Sequence, residues 1–254
     1  LAAGQRFEFL PAVSAGWVAS SEKFWEPISK YINHFKIRGS YGLVGSDAFA
    51  SGAPHFLYQN NIGIGSAHKF WTGLPTSEIS KQGPGFYVLA VQDAGWEHVK
   101  KFDIGFDMML FNQLNITFDY FHDKRERILM SRASWPSMLG YWGSKPWSNI
   151  GEVENQGFEL SLNWTKQFGK DLTLDLRGNF TYNQNEYKYV DEPSYPYVWQ
   201  TNTGKPLNTV KGYIAEGLFA SEEEIANSPD QSQLGANIMP GDIKYRDING
   251  DGQI

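Results

Sequence analysis

Cysteine is absent from the chain. That excludes a disulfide framework and a thiolate metal site, and it fits an intracellular, periplasmic or outer-membrane setting equally. No apolar run approaches the roughly 20 residues that a membrane-spanning helix needs. A helical membrane protein is thereby excluded, but a membrane barrel is not, because barrel strands carry a much weaker hydropathy signal. No basic stripe is visible, and a formal charge of −6 over 254 residues argues against a nucleic-acid partner. An initiator Met and a signal peptide are missing as well. The chain stops inside a motif, at Asp251-Gly-Gln-Ile254, and the expectation is an internal piece of a longer protein.

Aromatic residues are plentiful, at 15%. Many of them sit in alternating runs. In Asn149–Trp164, residues Phe158, Leu160, Leu162 and Trp164 share one parity, and Gly157, Glu159, Ser161 and Asn163 the other. Period two marks a strand with one apolar and one polar face. Leu172, Leu174, Leu176, Phe180 and Tyr182 repeat the pattern opposite Asp171, Thr173, Asp175, Arg177 and Asn179. The polar connection Thr165–Lys170, with Gly169 to turn on, joins the two as an antiparallel hairpin.

The same reading along the chain gives a first strand over Arg6–Ser20, with Pro11 favouring an edge or bulge. A short helical turn follows, with Ser20 or Ser21 as N-cap. Phe35–Leu43 forms a second strand, Lys101–Phe111 another, and Leu114–Phe121 a return strand extending toward Leu129 after the tight connection Asn112-Gln113. Val44–Glu97 and Arg132–Ser148 read as long loops, as does the section from Asn185 to Lys211 and beyond. Ser221-Glu-Glu-Glu224 reads as a capping box opening a short helix, Glu222–Asn227.

Short and long connections therefore alternate, as in an outer-membrane barrel with tight periplasmic turns and large extracellular loops. The apolar faces carry Phe, Leu, Ile, Met and Trp, and Tyr120, Trp164 and Tyr182 lie near strand ends, where aromatic girdles sit in lipid. A soluble sandwich also alternates; its polar face should be rich in Lys, Glu and Thr. The fold class expected is all-β, part of a large transmembrane antiparallel β-barrel occupying residues 1–254.

Asn149-Ile-Gly-Glu-Val-Glu-Asn-Gln-Gly-Phe-Glu-Leu160 resembles the most recognisable strand of the SusC/RagA-type TonB-dependent outer-membrane transporters of Bacteroidota. Other segments agree in order: Phe9-Leu-Pro-Ala-Val-Ser-Ala-Gly-Trp17, Lys36-Ile-Arg-Gly-Ser-Tyr-Gly-Leu-Val-Gly45, Asp119-Tyr-Phe, Gly178-Asn-Phe-Thr-Tyr182 and Pro240-Gly-Asp-Ile-Lys-Tyr245. The resemblance implies a plugged barrel of roughly 22 strands in the cell outer membrane. It also implies a SusD-like surface lipoprotein as partner, import of glycans or peptides, and energy from the TonB complex. The plug domain and C-terminal strands are expected outside this chain. A surface glycan-binding β-module without transport is the alternative.

Asp247-Ile-Asn-Gly-Asp-Gly252 carries oxygen ligands at its first, third and fifth positions and Gly at the sixth, like the start of a calcium loop. Asp247, Asn249 and Asp251 are the metal candidates, with Ca2+ the cation; an ordinary acidic turn is the other reading. Loop aromatics Trp71, Trp135, Tyr141, Trp142, Trp147, Tyr195, Tyr197 and Trp199 are candidates for substrate or lid contact, or for loop packing. Polar-face residues Asp103, Asp107, Asp119, Glu159, Asp175 and Arg177 are placed on the lumen side. His34, His55, His68, His98 and His122 have no metal-ligand spacing, Gly63-Ile-Gly65 lacks a phosphate-loop lysine, and nothing singles out an acid/base pair. The chain is read as a non-enzyme.

Overall fold

A computed structural model describes residues 4–47, 53, 55–74, 77–91, 94–136, 138, 145–235 and 237–254. It divides into two compact units, Leu1–Leu207 and Asn208–Ile254.

The first unit is built on a six-stranded antiparallel sheet. Its strands are β1 (Ala12–Val18), β2 (Ile32–Ser46), β5 (Glu97–Leu110), β6 (Leu114–Ser131), β7 (Trp147–Phe168) and β8 (Leu172–Tyr189), paired in that order. β1 and β8 form its two edges, so these strands make a wall and not a closed barrel. β3 (Asn61–Leu74) and β4 (Ser77–Val88) pair as a separate hairpin between β2 and β5. The sequence had offered Val44–Glu97 as a loop without periodicity. Its many Gly, Ser and Pro residues hide the alternation of this hairpin, whose register slips twice.

Other differences are local. β1 begins after Pro11, which cannot donate to the ladder, although the Pro11 carbonyl accepts from the Leu43 amide at 2.8 Å. The turn after β1 is two 3-10 helices, Ala19–Ser21 and Lys23–Ile28, whose N-caps are Val18 and Glu22; neither serine caps them. Between β5 and β6 the central turn residues are Phe111 and Asn112, at φ 53° and 55°, one place earlier than the sequence suggested. Positive φ at both central residues is the type I′ pattern that suits the twist of paired strands. The Tyr31 carbonyl accepts from the Phe111 amide, and the Tyr31 ring meets Phe111 edge-on at 6.1 Å.

Register fixes the faces. Phe106 pairs with both Ile37 and Phe118, Phe118 with Leu160, and Leu160 with Phe180. An aromatic ladder results on one face, Phe35–Phe106–Phe118–Phe158–Phe180, with centroid spacings of 5.9, 5.5, 6.0 and 5.7 Å. Cross-strand aromatic pairs of this kind contribute about 0.5–1.5 kcal/mol each beyond their area burial. Trp25 from the 3-10 turn stacks on Phe35 at 5.3 Å and extends the ladder past β2.

The second unit holds β9 (Ala215–Leu218) paired with β10 (Ile243–Tyr245), and α1 (Glu222–Ala226). The Ser221 hydroxyl accepts from the Glu224 amide at 3.2 Å. Glu224 reaches back to the Ala220 amide at 2.8 Å, one residue further than a standard capping box.

Candidate functional site

Opposite the aromatic ladder the sheet is polar, and its centre is Arg38. Arg38, Gly105 and Asp119 lie side by side on β2, β5 and β6. The guanidinium sits 2.6 Å from Asp119 and 3.5 Å from both Asp103 and Asp107. Gly105 is bare for a reason: a Cβ there would collide with the Asp119 carboxylate and lie 2.5 Å from the Phe118 carbonyl oxygen. The missing side chain opens the passage through which Arg38 and Asp119 meet.

Glu159 pairs with Asp119 on β7, and Lys101 bonds Asp123 at 3.3 Å further along the same face. Together with Ser40 and Phe121 these groups line a shallow depression of about 440 Å3. Gly157 is the second notch. A Cβ there would lie 2.7 Å from the Phe121 ring, which therefore rests on the glycine backbone. The sequence placed Asp103, Asp107, Asp119 and Glu159 correctly on the polar face. It missed Arg38 as their hub, although Arg38 shares their side once β2 is placed beside β5. Asp175 and Arg177 lie on β8, where Asp175 accepts from the Thr165 hydroxyl at 2.6 Å.

The apolar face ends abruptly. Beyond Phe102, Tyr120, Phe158 and Tyr182 the same parity carries charge. Lys100 and Lys124 each bond Glu126 at 2.6 Å, Lys188 bonds Glu154 at 2.8 Å, and His122 also meets Glu154. An apolar band edged by aromatics and followed by charged rows is the profile of a wall crossing from lipid into water. The long connections leave from this charged end, and the short turns 111–113 and 169–171 close the other.

The loop aromatics separate into distinct settings. Tyr197 and Trp199 stack at 4.5 Å with planes 7° apart, and Trp199 remains 44% exposed. The Glu192 carboxylate holds their loop by accepting from the Asn202 and Thr203 amides, and Lys205 donates to the Trp199 carbonyl. Tyr195 is exposed on the same loop. Trp147 is not a loop residue: it begins β7, pairs with Ser131 and packs against a buried cluster of Leu57, Val91, Ala94 and Leu129. Trp135 is half-buried in the turn after β6, where its amide donates to the Arg132 carbonyl. The Trp71 backbone pairs with Ser80 in the β3–β4 hairpin. Its side chain, Tyr141 and Trp142 lie outside the described residues.

Asp191, which the sequence reading passed over, anchors the loop after β8. Its carboxylate is 5% exposed and accepts from the Ser134 amide at 3.0 Å and hydroxyl at 2.8 Å, with Arg132 at 3.3 Å. Burial pushes its pKa up, but the Ser134 donors and Arg132 together hold it below the usual carboxylate value.

In the second unit, Asp247 organises the terminal turn. Its carboxylate accepts from the amides of Asn249 (3.1 Å), Gly250 (2.7 Å) and Gly252 (2.8 Å). Gly250 and Gly252 adopt φ of 74° and 83°. These amide donors, that of Gly252 foremost, lower the Asp247 pKa. The Asn249 carboxamide donates to Asp251 at 2.7 Å, so the carboxylates do not face each other unrelieved. Among the described residues no group of three His, Asp or Glu converges as a metal site. Asp247, Asn249 and Asp251 could supply oxygen to a hard cation, with Asp247 then exchanging amide partners for it.

Comparison with known proteins places these features. The family model described as TonB dependent receptor-like, beta-barrel, matches residues 3–237. TonB-dependent receptor P39 of Formosa agariphila is 28% identical over 90% of this chain and 20% of its own length. TonB-dependent receptor SusC of Bacteroides thetaiotaomicron is 25% identical over 98% of this chain and 24% of its own. The chain thus spans between a fifth and a quarter of these relatives. The RagAB peptide importer in its closed-closed state superposes with a TM-score of 0.64, at 17% identity over 99% of this chain and 26% of that one. In such a barrel the apolar band is the lipid face and the Arg38 side the lumen, and the chain belongs to the TonB-dependent receptor-like β-barrel family of the outer membrane.

Proposed function

We propose that this wall belongs to a transporter that imports an oligomeric nutrient, a glycan or an oligopeptide, in concert with a SusD-like surface lipoprotein. The observation that carries the reading is the two-faced sheet. An aromatic ladder on one face backs directly onto a polar, carboxylate-rich wall centred on Arg38, and the long connections leave from the charged end. A transport path needs that combination; a surface glycan-binding module without transport has no use for the aromatic band. The family supplies the rest of the proposal: a plug, and energy delivered by the TonB complex. The stacked pair Tyr197 and Trp199 is the proposed contact for substrate or lid, because a rigid exposed ring face suits either a sugar ring or a peptide side chain. Calcium at Asp247, Asn249 and Asp251 is a separate proposal, in which the ion clips an extracellular turn and takes no part in chemistry.

The test is uptake by whole cells. Deleting the gene should abolish import of one of two fluorescent pools, oligosaccharides or oligopeptides, and leave the other unchanged. Trp199→Ala in the full-length protein should weaken uptake of the affected pool several-fold. Undiminished import of both pools in the deletion strain would overturn the transporter reading. A lipoprotein that fails to co-purify with the full-length protein would overturn the partnership alone.

A further inference from the structure

Asn149 opens the Asn-Ile-Gly run at the start of β7, and its carboxamide lies against the backbone of Gly95. Nδ2 donates to the Gly95 carbonyl and Oδ1 accepts from the Gly95 amide, both at 3.2 Å. Nδ2 also donates to the Arg127 carbonyl at 2.8 Å. Both amide donors and the acceptor are thus engaged by backbone groups. One side chain ties together the loop entering β5, the strand β6 and the strand β7.

The surroundings are shaped for that contact. Arg127 has φ of 58°, and the β6–β7 register slips between Arg125 and Ile128. Such a bulge leaves backbone groups without a ladder partner, and the Asn149 amide supplies one. Gly151 pairs with Ile128, and a Cβ on it would lie 3.0 Å from the Ile128 Cβ and collide with the Met130 methyl. At Gly95 a Cβ would meet only side-chain ends, Arg127 Nη2 at 2.6 Å and Gln5 Oε1 at 3.1 Å, which can swing aside; Asn149 holds this residue by its backbone alone. Asn149 and Gly151 therefore serve a single bulge.

Next to the clamp lies the foot of the β3–β4 hairpin. The Val91 amide donates to the Leu57 carbonyl at 2.7 Å, and the Ala90 amide to Asn60 Oδ1 at 2.8 Å. These bonds join the two ends of the hairpin. Leu57, Val91 and Ala94 then pack with Leu129 of β6 and Trp147 of β7.

We infer that Asn149 is a positioning residue that fixes the foot of the β3–β4 extracellular hairpin to the barrel wall. The hairpin's position is set by a polar clamp on β7 and a small core beside it. An Asp at 149 would retain the acceptor for the Gly95 amide, lose both donors and set a carboxylate against two carbonyls. This inference goes beyond import and holds whatever crosses the barrel.

The experiment is hydrogen exchange on the full-length protein in nanodiscs, with Asn149→Ala and Asn149→Asp. In both variants the segment entering β5 should exchange at least about tenfold faster, the effect of losing roughly one net hydrogen bond. Protection in the lipid-facing parts of β5–β8 should not change. Nitroxides at Lys81→Cys and Lys170→Cys should give a narrow distance distribution in the parent and a broad one with Asn149→Asp. Unchanged exchange with an unchanged distance distribution would overturn the clamp. Loss of protection throughout the sheet would also overturn it, as a sign of global destabilisation. Failure of uptake in the parent protein would bear on import alone.

Discussion

Arg38 on β2 reaches over Gly105 on β5 to meet Asp119 on β6, with Nη2 2.6 Å from Oδ2. The contact skips a strand, which only a residue without a side chain between them permits. Gly105→Ala should therefore cost about 1–3 kcal/mol, the usual penalty of overpacking. Arg38→Ala fails differently, leaving Asp103, Asp107 and Asp119 facing one another without their common cation. All are partly solvated, so the loss should be smaller and should shrink as salt screens the carboxylates. Unfolding of the full-length protein in lipid vesicles, at low and high salt, checks both. A salt-independent defect for Arg38→Ala would contradict the electrostatic account.

Strand facing has its own test. Phe158 sits in the aromatic ladder, Glu159 opposite Asp119, and a one-residue slip would exchange these faces. Single cysteines at Glu159, Ser161 and Asn163 should react with a membrane-impermeant reagent that enters the lumen, and those at Phe158, Leu160 and Leu162 should be spared. The reverse pattern would shift the register by one.

The wall was legible in the sequence because its two faces see different solvents, and period-two alternation records that difference directly. Phe158, Leu160 and Leu162 against Glu159, Ser161 and Asn163 needed no partner strand to be sorted. The Arg38 hub was not legible, since its partners come from β5 and β6 and only register brings them together. The glycine notches at 105 and 157 were hidden for the same reason, for a missing side chain signals nothing until its neighbour is known. The β3–β4 hairpin escaped because Gly, Ser and Pro interrupt its alternation and its register slips twice. The capping box at Ser221 is local, and it was read correctly to within one hydrogen-bond partner.

Asp191 makes the loop after β8 sensitive to acid. Its folded pKa is lowered, so the carboxylate contributes stability at any pH above the ordinary carboxylate value, about 3.9. That contribution should be lost as pH falls through the folded value, freeing the contact with Ser134. Asp191→Asn should loosen the loop at neutral pH by about 1–3 kcal/mol, because a nearly buried charged hydrogen bond is replaced by a neutral one. Protease cleavage between Glu192 and Lys205 reports the opening. Equal cleavage of parent and variant at neutral pH would show that the anchor lies elsewhere.

The terminal turn distinguishes an ion-built loop from one built by its own backbone. In a loop built by its ion, Asp247 and Asp251 would repel each other until calcium ordered the segment. In the structure the three amides of Asn249, Gly250 and Gly252 already converge on Asp247, and Asn249 relieves Asp251. Calcium would have to displace amide donors from a carboxylate that they satisfy, so binding should exchange partners within a formed loop. At neutral pH with chelator present, the Gly250 and Gly252 amides should remain protected from exchange. Because the Asp247 pKa is lowered, that protection should persist above the ordinary carboxylate value and disappear as pH falls through the folded one. Asp247→Ala should abolish it at every pH. Asp251→Ala should loosen the turn only partly, and neither change should alter the heat stability of the barrel. Calcium added to the chelated protein then separates the two readings: a shift in the Asp251 carboxylate signal with half-saturation near millimolar fits an extracellular calcium clip. No shift up to tens of millimolar would leave Asp247 as the hub of an acidic turn, with Gly250 and Gly252 present for their positive φ alone.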